Sequence, residues 1–341
     1  MISSLFTQMG LDYRIYDVGR RIQPLDTETF LRVEQQLIPY PAPYLRQAWL
    51  ALLLRDSDSP ALPLLWFIRL PLDEQGFLDP QPRDRLVKQL LIALAPQESE
   101  AEQARQLAAV LENNPCLFQP APERQASMHA RASLDLALAP GEHYGAALDY
   151  LAGDLGQWQQ LPLQGLADVA MRCAEHSHLL QQAIATMPAQ PLQQLCECLE
   201  NTTPDKALAT ALCQRLQTEA PTGDSDSLVA ALVRALSHSD AIELRQTALQ
   251  QLLSGQPGME VLAAIASRCP WDLTQPTLFR AFLQSLQQHP TPLLQQLLNE
   301  LLYDPRLRPH LLPVLRDPQL EPELQQAVAR LLAPADNPVR H

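Results

Sequence analysis

Apolar residues recur along this chain in two rhythms, and the change between them divides it. Up to about residue 95 the apolar stretches are short and either alternate with polar positions or run unbroken, as strands do. Tyr13, Ile15 and Val18 stand among Asp12, Arg14 and Asp17, the period of a strand over 11–18. Gly19-Arg20-Arg21 interrupts it, and Ile22 to Leu25 is expected to continue it after a bend or bulge. Ile2 to Met9 can form two helical turns ahead of it, with Gly10 as C-cap. Asp26 is placed to cap a helix whose stripe is Phe30, Val33 and Leu37, stopped by Pro39.

Tyr40 to Tyr44, YPAPY, is too rich in proline for either regular element. It is expected to be an extended connector with its rings turned outward. Ala48 to Leu54 and Leu62 to Leu70 read as strands joined by RDSDSP. Their apolarity would also suit buried helical turns, but Pro60, Pro63 and Pro71 leave no room for a helix of normal length. Asp73 to Gly76 is a turn, and 83–94 a helix with Leu86, Leu90, Leu91 and Leu94 along one side. Three strands cannot bury both faces alone, so the helices at 26–37 and 83–94 should cover one of them.

Beyond Pro96 the period becomes 3.6 throughout. Helices are expected near 98–112, 123–138, 141–152, 162–174, 177–186, 189–199, 204–217, 225–237, 240–254, 257–267, 275–288, 291–302, 307–315 and 319–332. Asp240-Ala-Ile-Glu243 has the form of a capping box, Gly255 of a C-cap, and Asp317-Pro318 of a cap with proline at the first helical position. Starts at Asp240 and Thr274 lie 34 residues apart, within the pitch of paired-helix solenoids. The expected fold class is therefore α+β: a small N-terminal antiparallel sheet with packed helices over 1–95, then an all-α, HEAT-like array over 96–341. A compact bundle is the competing arrangement for the second part.

Composition and charge narrow the function. The chain has 31 Pro against 11 Gly, in keeping with many short, sharply ended helices. Its net charge of -13 is uneven: 10 basic and 11 acidic residues up to Ala95, then 15 basic and 27 acidic. An acidic helical region is repelled by phosphate backbones, which argues against nucleic acid as a partner. The start, MISSLFTQMGLDYR, has neither a basic region nor a long apolar core, so no signal peptide is expected, and no apolar run suits a membrane helix. Six cysteines fit reduced thiols and a cytoplasmic setting.

Candidate chemistry is sparse. Arg20 and Arg21 beside Gly19 could offer guanidinium forks to a carboxylate or phosphate, with Asp17 orienting one, or could simply pin the bend. Asp73, Glu74 and Asp79 are paired acids on a turn, where solvation and capping explain them as well. Cys173, His176 and His178 have metal-ligand chemistry, but a continuous helix points His178 away, and Cys196 and Cys198 share that fault. No metal site and no cofactor is expected. There is no GxSxG, HExxH, CxxC, GxGxxG or GxxxxGK[ST]. Tyr40 and Tyr44, in an aromatic-rich stretch with Trp49 and Trp66, are the best candidates for meeting another protein.

Tyr13 to Arg21, Ile38-Pro-Tyr-Pro41, Gln47-Ala-Trp-Leu50, Trp66 to Gly76 and Arg83-Asp84 together resemble an uncharacterised gammaproteobacterial family, a domain of unknown function. The resemblance covers roughly residues 10–90 and implies a bacterial, cytoplasmic protein; it brings no activity, ligand or partner. The leading expectation is a non-enzymatic interaction or adaptor protein. The alternative is a small anionic-ligand binding protein or enzyme with its site at the N-terminal sheet, built on Arg20 and Arg21.

Overall fold

A computed structural model describes residues 1–8, 12–55, 63–94, 105, 109–110, 114–219 and 226–332. The boundary expected at 96, the helix expected at 98–112 and most of the RDSDSP loop lie outside the described residues. By their packing the residues fall into two compact units: Met1–Asp149 with Gln159–Arg172, and Tyr150–Trp158 with Cys173 onward.

The first unit is built round one strand. β1 (Asp12–Asp17), β2 (Gln23–Leu25), β3 (Gln47–Arg55) and β4 (Leu64–Pro71) form an antiparallel sheet in the order β2-β1-β3-β4. β3 lies between β1, with Asp17 opposite Leu50, and β4, with Leu52 opposite Trp66. Ala48 to Leu54 are all buried except Trp49, which is half-buried. A central strand covered on both faces has no need of alternation, hence its unbroken apolar run. On one face Tyr16, Ala51, Leu53 and Phe67 share a core with Met128 and Ala132. The last two belong to α4 (Pro122–Asp135); α1 (Ile2–Gln8), α2 (Thr27–Glu34) and α3 (Pro80–Leu94) precede it. α1 packs on β1, α3 on β4 and α2 on α1, while Phe6 meets Tyr13 and Trp66 at ring distances of 5.7 and 6.0 Å.

Two local expectations are corrected. Residues 22–25 do not extend β1: Gly19-Arg20-Arg21 reverses the chain, and β2 pairs back with Ile15 opposite Leu25. The α2 helix stops at Glu34, because Gln36 takes a left-handed φ of 58°, so Leu37 leaves the stripe and is 64% exposed. Asp26 does cap it, accepting from the Thr29 N–H at 2.8 Å. Glu34, buried, accepts from the Ile2 and Ser3 N–H groups and so holds the start of α1. Gly76, at φ 86°, closes the 73–76 turn in a conformation that side chains resist.

After α5 (Tyr144–Ala152) and α6 (Leu163–Met171) comes a succession of paired helices: α7 (Ser177–Thr186), α8 (Ala189–Leu199), α9 (Lys206–Thr218), α10 (Asp226–Leu236), α11 (Ile242–Ser254), α12 (Met259–Arg268), α13 (Pro276–Gln287), α14 (Thr291–Tyr303), α15 (Arg308–Leu315) and α16 (Pro322–Leu332). Packing joins each helix to the one two places on. α7, α9, α11, α13 and α15 form one row, and α8, α10, α12 and α14 the other. Hydrogen bonds between neighbours in a row span 30 to 37 residues. Gln217 to Gln251 spans 34 residues, while Gly258 to Asp226, Ser285 to Leu253 and His289 to Pro257 each span 32. Along the second row, Glu200 at the end of α8 meets Arg234 of α10 at 3.7 Å and Arg268 of α12 at 3.4 Å.

Three of the expected caps can be compared with the structure. Gly255 ends α11 as expected. The Asp240 box does not form; α11 begins at Ile242, and the Ala241 N–H donates to Ser239 Oγ instead. Asp317 closes a turn, accepting from the Gln319 N–H and from Arg280, and α16 starts only at Pro322. Among the described residues no helix is long and apolar enough to cross a membrane.

Candidate functional site

The bend after β1 gathers most of the side chains marked out in the sequence. Asp17 is 1% exposed; its carboxylate accepts from Tyr40 Oη at 2.7 Å and Gln23 Nε2 at 3.3 Å. Burial pushes its pKa up to about 6, against the pull of those hydrogen bonds and of the Arg124 charge. Burial and the adjacent Asp17 charge hold the Tyr40 phenol well above its ordinary range. Tyr40 is thus not an outward ring: at 3% exposed, its hydroxyl ties the proline-rich connector to the end of β1.

Arg20 donates from Nε and Nη2 to the Pro43 carbonyl at 3.3 and 3.1 Å and lies over the Tyr44 ring at 5.5 Å. Tyr44 in turn accepts from Trp49 Nε1 at 2.8 Å through its carbonyl. Arg21 donates to Gln23 Oε1 at 3.1 Å. A Cβ on Gly19 would stand 3.2 Å from both Trp49 and Tyr44, so the bend packs tightly against the connector. This cluster brings Arg20 and Tyr44 together and Tyr40 beneath them with Asp17. Its contacts are those of a brace that fixes the chain path.

The acids of the 71–80 turn serve the backbone. Asp73 Oδ1 accepts from the N–H groups of Gln75 and Phe77, and Asp79 Oδ1 from that of Gln81. Cys173 is buried and its thiol pushed up by desolvation. His178 is exposed, one residue into α7. No three His, Cys, Asp or Glu side chains among the described residues are grouped to hold a metal ion. The six cysteines are free and buried.

Two other places have the shape of binding sites. At the β4 edge a cleft of about 660 Å³ is lined by Gln47, Arg69, Arg85, Gln89, Asn114 and Cys116, with prolines 71, 82 and 115 between them. Arg69 Nε donates to the Pro115 carbonyl at 3.3 Å, and its guanidinium lies 6.0 Å from the Trp49 ring centroid. Burial raises the Cys116 thiol, opposed by the charges of Arg69 and Arg85.

In the second unit, the α7-α9-α11-α13-α15 row carries two grooves. One of about 250 Å³ lies between α9 and α11 and is lined by Gln217, Glu219, Gln251 and Leu252 among others. The next, about 390 Å³, lies between α11 and α13, with Glu243, Gln246, Gln250, Gln251, Gln275 and Thr277. Gln217 Nε2 donates to Gln251 Oε1 at 3.1 Å, and Gln275 Nε2 to Gln246 Oε1 at 3.2 Å. Carboxamides therefore run from α9 across α11 to the start of α13.

A family model described as "Protein of unknown function (DUF3549)" matches residues 1–332. The chain belongs to that family. No curated protein and no solved structure matches it.

The DUF3549 match reaches well past residues 10–90, where the N-terminal motifs lie, and takes in the stacked helices. Sequence reasoning did not point to Gln47, Arg69, Arg85, Gln89, Asn114 or Cys116. The only local signal was the i, i+3, i+7 spacing of Pro82, Arg85 and Gln89, which puts them on one face of α3. The glutamine row had a signal too: carboxamides recur on the outer positions of 214–217, 246–251 and 275, inside helices whose buried faces are almost wholly Leu and Ala.

Proposed function

We propose that the protein is a non-enzymatic adaptor of the bacterial cytoplasm that binds another protein along the α9-α11-α13 row of a HEAT-like array. The supporting observation is the pair of adjoining grooves that share Gln251 and are bridged by Gln217–Gln251 and Gln246–Gln275 contacts. A carboxamide both donates and accepts, so a row of them matches the main-chain groups of an extended peptide whatever its side chains. Glu243 borders the larger groove and, among the described residues, no Lys or Arg lines either one, while Glu219 is already paired with Arg215 at 2.7 Å; the charge left over favours a segment carrying a basic residue. Stacked-helix arrays present such extended surfaces, a point of fold analogy.

Affinity purification of the full chain from bacterial lysate tests the reading. The intact protein should recover a stoichiometric partner, and Gln246→Ala/Gln251→Ala should lose most of it without a change in melting temperature. Repeated recovery of no partner, or of the same amount by the double variant, would defeat it.

A further inference from the structure

We propose that the cleft at the β4 edge binds a small organic anion through a phosphate or carboxylate group. This site is separate from the helical grooves and goes beyond the adaptor reading. Its volume, about 660 Å³, falls within the range of small-molecule sites. Among the described residues its lining holds two guanidiniums, three carboxamides and a thiol, and no acidic side chain, in a chain whose net charge is -13. Two positive charges in the described lining, with no acid beside them there, favour an anion.

Three separate elements build it. Gln47 begins β3 opposite Pro71 of β4, where Arg69 also lies. Pro82, Arg85 and Gln89 share a face of α3. Residues 114–116 close the third side: the Arg69 N–H donates to the Cys116 carbonyl at 2.7 Å, and Asn114 Nδ2 donates to Gln89 Oε1.

The two arginines are held differently. Arg69 lines the cleft and is pre-positioned by the Pro115 carbonyl, which accepts from its Nε, and by the Trp49 ring. Arg85 is exposed and, among the described residues, has no partner. A guanidinium fork pairs with a carboxylate or a phosphate through two parallel hydrogen bonds, and the carboxamides can take the remaining oxygens and hydroxyls. Cys116 also lines the cleft but is only 5% exposed, with Sγ 3.9 Å from the Pro82 carbonyl.

The test uses the full chain titrated with inorganic phosphate and with citrate at constant ionic strength, against chloride, by calorimetry. At least one anion should bind saturably, and Arg85→Gln should weaken that binding about tenfold or more while its melting temperature stays at the parent value. Binding of phosphate alone identifies a phosphorylated ligand, and of citrate alone a carboxylate. Failure of both anions to bind above the chloride background, or equal binding by Arg85→Gln, would overturn the proposal. Because none of these residues lies in the helical grooves, that outcome would leave the adaptor reading standing.

Discussion

In the sheet-bearing unit contacts that close the core reach more than a hundred residues along the chain, whereas in the stacked helices most span only 27 to 37. Tyr16 Oη donates to the Asp135 carboxylate across 119 residues, and Arg14 to the Asp135 carbonyl across 121. The helical rows are tied by bonds of 30 to 37, several of them at 32. Long-range closure makes a unit that must form as a whole, since little of its core exists until distant segments meet. Short, repeated closure lets stability accumulate from neighbour to neighbour. Two of the buried aspartates, one in each unit, are also held differently. Asp272 meets Arg245 through two bonds of 2.8 Å, whereas the groups bonded to Asp17 are a phenol, a carboxamide and a backbone N–H.

That contrast is sharpest in what removal of each carboxylate should do. Asp272→Ala leaves the Arg245 charge buried with no counter-ion, and chemical denaturation should show a loss of about 3–5 kcal/mol. A loss below about 1 kcal/mol would mean that the pair adds nothing to the stack.

Asp17 should behave in the opposite sense. Its folded pKa of about 6 lies above the ordinary 3.8, so the folded state takes up the proton first. The stability of the protonated form is present in full below pH 3.8 and is lost as pH rises through 6, roughly 3 kcal/mol at most. Asp17→Asn should therefore melt higher than the parent at pH 7.5, with the advantage gone at pH 4. An unchanged difference between the two pH values would refute the assignment. The smallest effect belongs to the groove surface: Gln217→Ala should alter unfolding free energy by no more than about 0.5 kcal/mol. A larger loss would make the carboxamide row part of the scaffold.

The same contrast explains what could be read from the sequence. Helix ends at 177–186 and 189–199 were legible because local period and proline punctuation determine them, and the row packing then follows from short connections. β1 was legible from its alternation, and β3 and β4 from apolar runs that prolines leave too short for a helix, but the hairpin at β2 was not. Three residues carry no period, and only pairing with β1 distinguishes reversal from continuation. Tyr40 was misplaced because its burial depends on Asp17, 23 residues away. Likewise, nothing near Met128 and Ala132 announced that α4 covers one face of the sheet. The cleft draws on β3, β4, α3 and residues 114–116, so it exists only once the tertiary fold does.

The borders of the sheet limit how this molecule can recruit others. Beyond β4, the Cys116 carbonyl accepts from the Arg69 N–H and the Phe118 N–H donates to the Phe67 carbonyl, so that margin already has its ladder partner. The opposite margin, β2, is three residues long and has Pro24 at its middle, which lacks an N–H to offer. A foreign strand would find few main-chain groups at either side. Recruitment by β-augmentation, and the amyloid-like stacking that open margins invite, are thereby suppressed. Any polypeptide that docks here must be recognised through side chains.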